Sequence, residues 1–230
     1  MVSRTRVVLR WPLGLLLVIW RYLWRTTPIH RVEEPGDRSD LPAPLPPELR
    51  DDGLQTPADG VGPLLHRHYA VDAAGATRGP EDLVGGLCSE PNWGTPGDVA
   101  VFVKTRGESG AMSLGDEYVV RMPGPWDGPV RVIARTPTSF RFATMRGHLE
   151  AGQIEFRAST VDDALRFEIE SWARSADRLS HVLYNRLLLA KEIQLNLWME
   201  TCLQVAARSG GRLRGGVRVR TRRLANPQVG

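Results

Sequence analysis

Five short stretches between residues 117 and 172 alternate apolar and polar side chains with period two, and nothing else in the chain constrains its fold as much. Tyr118, Val120 and Met122 share one phase in 117–122, as do Val132 and Ala134 in 130–135 and Phe140 and Phe142 in 140–145. Ile154, Phe156 and Ala158 follow in 153–158, then Leu165, Phe167 and Ile169 in 165–172. Turn residues such as those of 123–129 and Thr136-Pro137-Thr138 separate them. Consecutive short strands with tight turns predict an antiparallel meander with one apolar and one charged face. The period then becomes helical: Leu179, Val182, Leu183, Leu187, Ala190, Ile193 and Leu197 form a stripe through 177–208, with Asp177 as N-cap and Gly210-Gly211 as the stop. Such a helix of about 32 residues would be about 48 Å long, enough to cross a whole sheet.

Ahead of the meander, 66–71 reads as a short strand and 80–87 as a helix opening on Pro80. Residues 95–103 read as a second helix capped by Thr95. Strand, two short helices, meander and long helix is the order of the helix-grip fold. The expected class is therefore α+β, a curved antiparallel sheet wrapped around one long C-terminal helix.

Charge is segregated along the chain. Residues 1–32 carry six arginines and 208–230 carry seven, neither stretch holding an acid, so the body keeps 17 of the 30 basic residues against all 26 acids. An acidic body repels phosphate, so no nucleic-acid partner is expected for it. Basic ends suit an anionic lipid surface. Residues 7–24 (VVLRWPLGLLLVIWRYLW) would reach about 27 Å as a helix, with Arg10 and Arg21 near its ends. Trp11, Trp20, Tyr22 and Trp24 suit the interfacial belts. Residues 1–26 are expected to be a membrane anchor, spanning or lying in the interface, and the arginines flanking the run leave its orientation open. Residues 27–63, rich in proline, glycine and acid, read as an extended linker, 64–209 as the folded domain, and 210–230 as a basic disordered tail.

Catalytic motifs are poorly supported. Ala111-Met112-Ser113-Leu114-Gly115 lacks the strand before and helix after that a nucleophile elbow needs. His148-x-Glu150 lacks the P-C-x-x-C of zinc deaminases. Cys88 and Cys202 lie far apart, so neither a disulfide framework nor a metal site is expected, and no phosphate-binding glycine loop implies a cofactor. Glu168 and Glu170 share a strand face with Arg131, Arg135, Arg141, Arg157 and Arg166, which predicts cross-strand ion pairs.

Three features point to a binding site. Residues 147–152 (GHLEAG) place His148 and Glu150 at the rim of the sheet. Trp126 sits at a hairpin tip, where an exposed indole invites a ligand or membrane contact. Gln194 adjoins the apolar stripe of the helix and needs a polar partner. Phe142, Phe156 and Trp198 would line the apolar wall of a cavity between sheet and helix.

The stretch FRFATMRGHLEAGQIEF (140–156), with RFEIESWARSAD (166–177), resembles the bacterial and plant family called domain of unknown function 1990. Thr144, Gly147, His148, Glu150, Gly152, Glu155, Phe167, Ile169, Trp172 and Arg174 carry the likeness, which extends over roughly 64–207. It implies an α+β, helix-grip-like domain and no particular reaction. The leading expectation is non-enzymatic: an apolar or lipid-like molecule held between sheet and helix, with His148 and Gln194 as polar fixings and membrane lipids as surroundings. Two other classes stay open, a membrane-tethered interaction or scaffold module and a cyclase- or hydrolase-like enzyme using His148, Glu150 and Arg174. Protein partners are not specified.

Overall fold

The computed structural model describes residues 27–95, 97, 100–121, 127–176 and 188–224. The expected anchor over 1–26, Trp126, and residues 177–187 of the expected long helix lie outside the described residues. Nine strands form one sheet: β1 (Ile29–Pro35), β2 (Val61–Ala74), β3 (Val101–Arg106), β4 (Glu117–Arg121), β5 (Asp127–Thr136), β6 (Ser139–Thr144), β7 (Glu150–Val161), β8 (Ala164–Ser175) and β9 (Arg212–Leu224). Among the described residues two α-helices accompany it, α1 (Pro80–Ser89) and α2 (Leu188–Arg208). Spatial order is β1-β9-β2-β8-β7-β6-β5-β4-β3, antiparallel throughout except for the parallel β1–β9 pair. α2 packs across β2, β8 and β9, while α1 covers β6 and β7, so the class is mixed α+β as expected. No helix among the described residues is long and apolar enough to cross a membrane.

The meander follows its alternation closely. Tyr118, Val120, Phe140, Phe142, Phe156, Phe167 and Ile169 all enter one core, where Phe140 stacks on Phe156 at 4.8 Å and Trp198 of α2 meets Phe156 edge-on at 5.6 Å. β7 and β8 turn through Asp162 and Asp163, both at positive φ (47° and 59°), the handedness a two-residue hairpin requires. In β5 the phase breaks after Val132: a register shift sends Ile133 to the outer face. Arg135, expected among the outer-face charges, instead donates to the Met112 carbonyl at 2.6 Å.

Three expectations are corrected. Of the helix expected over 95–103, residues 101–103 are strand instead: β3 begins at Val101, and Asn92 brackets Phe102 by accepting its N–H (2.7 Å) and donating to its carbonyl (3.0 Å). Residues 27–63 are not a free linker. After β1 they cross the outer face of the sheet as a strap with three 3-10 turns, burying Leu45 and Leu54 against Ile133 and Ala143. Four leucines spaced among the prolines supply the apolar anchors that composition alone concealed. Finally, 212–224 is no tail but β9, inserted between β1 and β2. Gly210, at φ +79°, reverses the chain after α2. Val217, Val219 and Thr221 then turn inward, while Arg218 and Arg222 meet Asp72, Glu34 and Asp40 outside.

Candidate functional site

β2 is the strand that carries charge inward. Its alternation buries Tyr69, Val71 and Ala73, and the same phase turns Arg67 toward the core side, leaving it 8% exposed. Across the sheet Arg67 stands between Thr221 of β9 and Ser171 of β8. On β7, Phe156, Ile154 and Gly152 run in one phase to Glu150 at the strand's start. Gln194 of α2 closes the gap between them. Arg67 Nη1 donates to Gln194 Oε1 at 2.6 Å, and Gln194 Nε2 donates to Glu150 Oε2 at 2.7 Å. The amide is thereby oriented, oxygen to the cation and nitrogen to the carboxylate.

The floor between the two charges is made of small residues, Ser171, Ala173 and Gly152. Gly152 is required by proximity: a Cβ there would run into the Trp172 carbonyl oxygen. Beside the array, Tyr69 is 0% exposed and its hydroxyl finds no hydrogen-bond partner among the described residues. Burial pushes its pKa up to about 12, so it stays a donor. Trp198 Nε1, one turn beyond Gln194, likewise has no partner among the described residues. Cys202, one turn further along, is a buried free thiol whose pKa burial raises far above its ordinary value.

His148 takes a different part. Its Nδ1 accepts from the Glu150 N–H at 2.9 Å, and its ring packs over Gly128 of β5. Burial lowers its pKa, the nearby Glu150 charge opposing weakly, which matches a neutral ring with the proton on Nε2. Gln55 of the strap secures this turn by donating to the carbonyls of His148 (3.1 Å) and Glu150 (2.9 Å). His148 thus shapes the rim, and Glu150 and Gln194 form the array. Phe142, Phe156 and Trp198, expected to line a cavity wall, are buried in the aromatic core, and Trp126 falls outside the described residues. Arg174 does not join His148 and Glu150; it donates to the carbonyls of Gly62 (2.8 Å) and Pro57 (3.2 Å) and clamps the strap.

A void of about 10 Å³ lies among Leu87, Phe102, Phe142, Phe156 and Thr201, room for about one water molecule. A wider opening of about 520 Å³ lies outside, between the strap and the β3–β4 loop. Its buried Arg131 is already bonded to Asp51 (2.7 Å) and Glu117 (2.9 Å). Glu168 and Glu170 are engaged on the outer face by Arg157, His66 and His68. No group of three metal-binding side chains occurs among the described residues.

Arg67 and Tyr69 were missed in the sequence, although the strand phase that buries Val71 places both inside. The signal was a charged residue in the apolar phase of HRHYAV.

Residues 92–200 match the family model described as Domain of unknown function (DUF1990). No curated protein matches the chain. Among solved structures, a hypothetical protein of Helicobacter pylori is similar at TM-score 0.46 and 10% identity, over 62% of this chain and 86% of that one. Norcoclaurine synthase from Thalictrum flavum, in complex with dopamine and hydroxybenzaldehyde, is similar at 0.45 and 10%, over 66% and 89%. A protein of Mycobacterium smegmatis is similar at 0.40 and 16%, over 62% and 89%.

Proposed function

We propose, on the premise that residues 92–200 are a stretch of the domain of unknown function 1990 family, that this domain binds an amphipathic, lipid-like molecule without transforming it. The molecule would lie between the inner sheet face and α2, in a helix-grip arrangement. What carries the reading is the Arg67–Gln194–Glu150 array, a buried cation linked through an amide to a half-buried carboxylate beside an aromatic core. Desolvating such groups costs several kcal/mol per ion, so a core built only for stability has little use for them. The polar end of the ligand would meet this array and the Tyr69 hydroxyl. Its apolar body would lie on Phe142, Phe156 and Trp198.

The void beside Phe142, Phe156 and Thr201 is about 10 Å³, so the apolar body of such a ligand would have to widen it to enter there. Residues 1–26 would hold the domain at the membrane that supplies it. Native mass spectrometry of the full chain, gently extracted from its host, tests this. The expected result is a stoichiometric amphipathic adduct that Arg67→Met and Gln194→Leu variants lose while keeping their circular dichroism. An apo mass from the host, unchanged by incubation with myristate, would overturn it.

A second reading rests on the tight packing among Leu87, Phe102, Phe142, Phe156 and Thr201: a closed domain that serves as a tethered protein-interaction module. The apo result, together with strong hydrogen-exchange protection across α2, would favour it.

A further inference from the structure

The strap begins its crossing of the outer face over one row of side chains. Cross-strand register sets Glu34 of β1, Arg222 of β9, His66 of β2 and Trp172 of β8 side by side. Over this row stands Asp40 of the strap, its side chain 3% exposed. A single 3-10 turn capped by Asp37 fixes it there, with Asp40 Oδ2 accepting the Asp37 N–H at 2.9 Å. Leu41 follows and packs on Leu64, Trp172 and Leu224.

His66 joins strap to sheet through both ring nitrogens. Nδ1 lies 2.9 Å from Asp40 Oδ1 and Nε2 lies 2.7 Å from Glu170 Oε1, while the ring stacks on Trp172 at 5.2 Å. A carboxylate only accepts, and a neutral imidazole has one N–H and one lone pair. With a single ring proton, one of the two carboxylates would face that lone pair at contact distance. Imidazolium donates to both. A proton on either acid does not make up the difference, because both keep their charge. Burial alone would raise the Asp40 carboxyl, yet bonds from Arg222, the Asp37 N–H and His66 hold it below the ordinary range. Glu170 is held below it as well, burial being outweighed by the His66 bond and the Arg157 and His68 charges.

The other charges around the ring act on its partners. Arg222 Nη1 reaches Asp40 Oδ1 at 2.7 Å and is itself bonded through Nε to Glu34 at 2.8 Å. Arg157 Nη1 reaches Glu170 Oε2 at 3.0 Å, and His68 bonds Glu168 at 2.7 Å. Arg141 lies over the far partner of the stack, 5.7 Å from the Trp172 ring.

We infer that His66 is a proton-dependent clasp, fastening the strap to the outer face while both ring nitrogens carry protons and loosening it when one proton leaves. Docking of the strap and the second ring proton favour one another, so the strap is held in mildly acid solution and loosens as pH rises. The part released is the turn of Asp37 to Leu41, at the start of the strap.

Nuclear magnetic resonance of the full chain between pH 5.5 and 9 tests the clasp. One readout is the ¹⁵N shifts of the His66 ring. The other is amide exchange, corrected for its intrinsic pH dependence, at Asp40 and Leu41, whose N–H groups donate to the Asp37 and Arg38 carbonyls. The ring should carry two protons at pH 5.5 and lose one as pH rises. Protection of Asp40 and Leu41 should fall about tenfold or more at the same midpoint, the loss expected for one bond between charged groups. The Gly36 N–H, bonded to the Arg223 carbonyl of β9, should keep its protection. His66→Gln retains a donor and an acceptor but takes up no proton, so its strap should exchange fast and equally at both ends of the range. Circular dichroism checks the fold of that variant. A ring with one proton at pH 5.5, a ring that keeps both at pH 9, strap protection that does not follow the ring, or wild-type pH dependence in His66→Gln would each overturn the inference.

Discussion

Gln194 is the residue on which the polar array depends, because its amide hydrogen-bonds both Arg67 and Glu150. Replacing it with leucine keeps the volume and removes two hydrogen bonds to charged groups. Gln194→Leu should cost about 2–3 kcal/mol in urea unfolding. A loss below about 0.5 kcal/mol would mean that the charges are held by other contacts. Gly152→Ala should be worse, at least about 3 kcal/mol or outright failure to fold, since its Cβ meets backbone rather than a yielding side chain. His148 adds a dependence on pH. Folding lowers the proton affinity of its ring, so its contribution is complete above an unfolded pKa of about 6.5 and is lost as pH falls through the folded value. The drop in melting temperature between pH 7.5 and 5.5 should therefore shrink in His148→Asn. Gln194 was legible in sequence as a polar residue beside an apolar stripe, but its partner was not. Arg67 lies more than a hundred residues away, and only the register of β2 brings it under the helix.

Among the elements, β8 and β2 carry the outer-face ion ladder. Burial alone would raise the pKa of Glu168, yet hydrogen bonds from His68 and Arg157 outweigh it and hold the carboxyl at about 2. Asp72 is held at about 2 in the same way by Arg166 and Arg218. Carboxyls with lowered folded pKa values stabilise above their unfolded values and lose that contribution as pH falls from about 4.5 toward 2. Glu168→Gln should thus cost on the order of 2–3 kcal/mol at pH 7 and far less at pH 2.5, read from urea midpoints at the two pH values. The ladder also explains which elements were legible. The meander strands write their faces in local alternation and pair with sequence neighbours, so period two was enough. β9 alternates just as well, Val217 and Val219 against Arg218 and Arg220, but its run of arginines reads as solvated tail until Asp72, Glu34 and Asp40 are brought opposite. The strap was hidden likewise, its leucines too sparse to signal a core of their own.

At the scale of the molecule, the two segments that composition set aside are the ones that finish the sheet. β9 is the last of the described strands and pairs with β2 on one side and β1 on the other, so β1 has no seat until β9 is in place. Val217 and Val219 of β9 belong to the same core as Tyr69 and the α2 residues Cys202 and Val205. Ending the chain at Gly210 would therefore open the edge of β2, uncover that side of the core and leave Asp72 without Arg218. We expect the truncated chain to lose near-ultraviolet circular dichroism and cooperative unfolding, with hydrogen-exchange protection falling first in β2 and then in α2, because β2 loses its ladder and α2 loses part of its bed. A tail would be removed without such effects. If the truncated chain keeps most of its stability, the β2–β8 meander is the folding unit and β9 an addition to it. The Arg67–Gln194–Glu150 array, lying on β2, β7 and α2, would then persist without its neighbour Thr221.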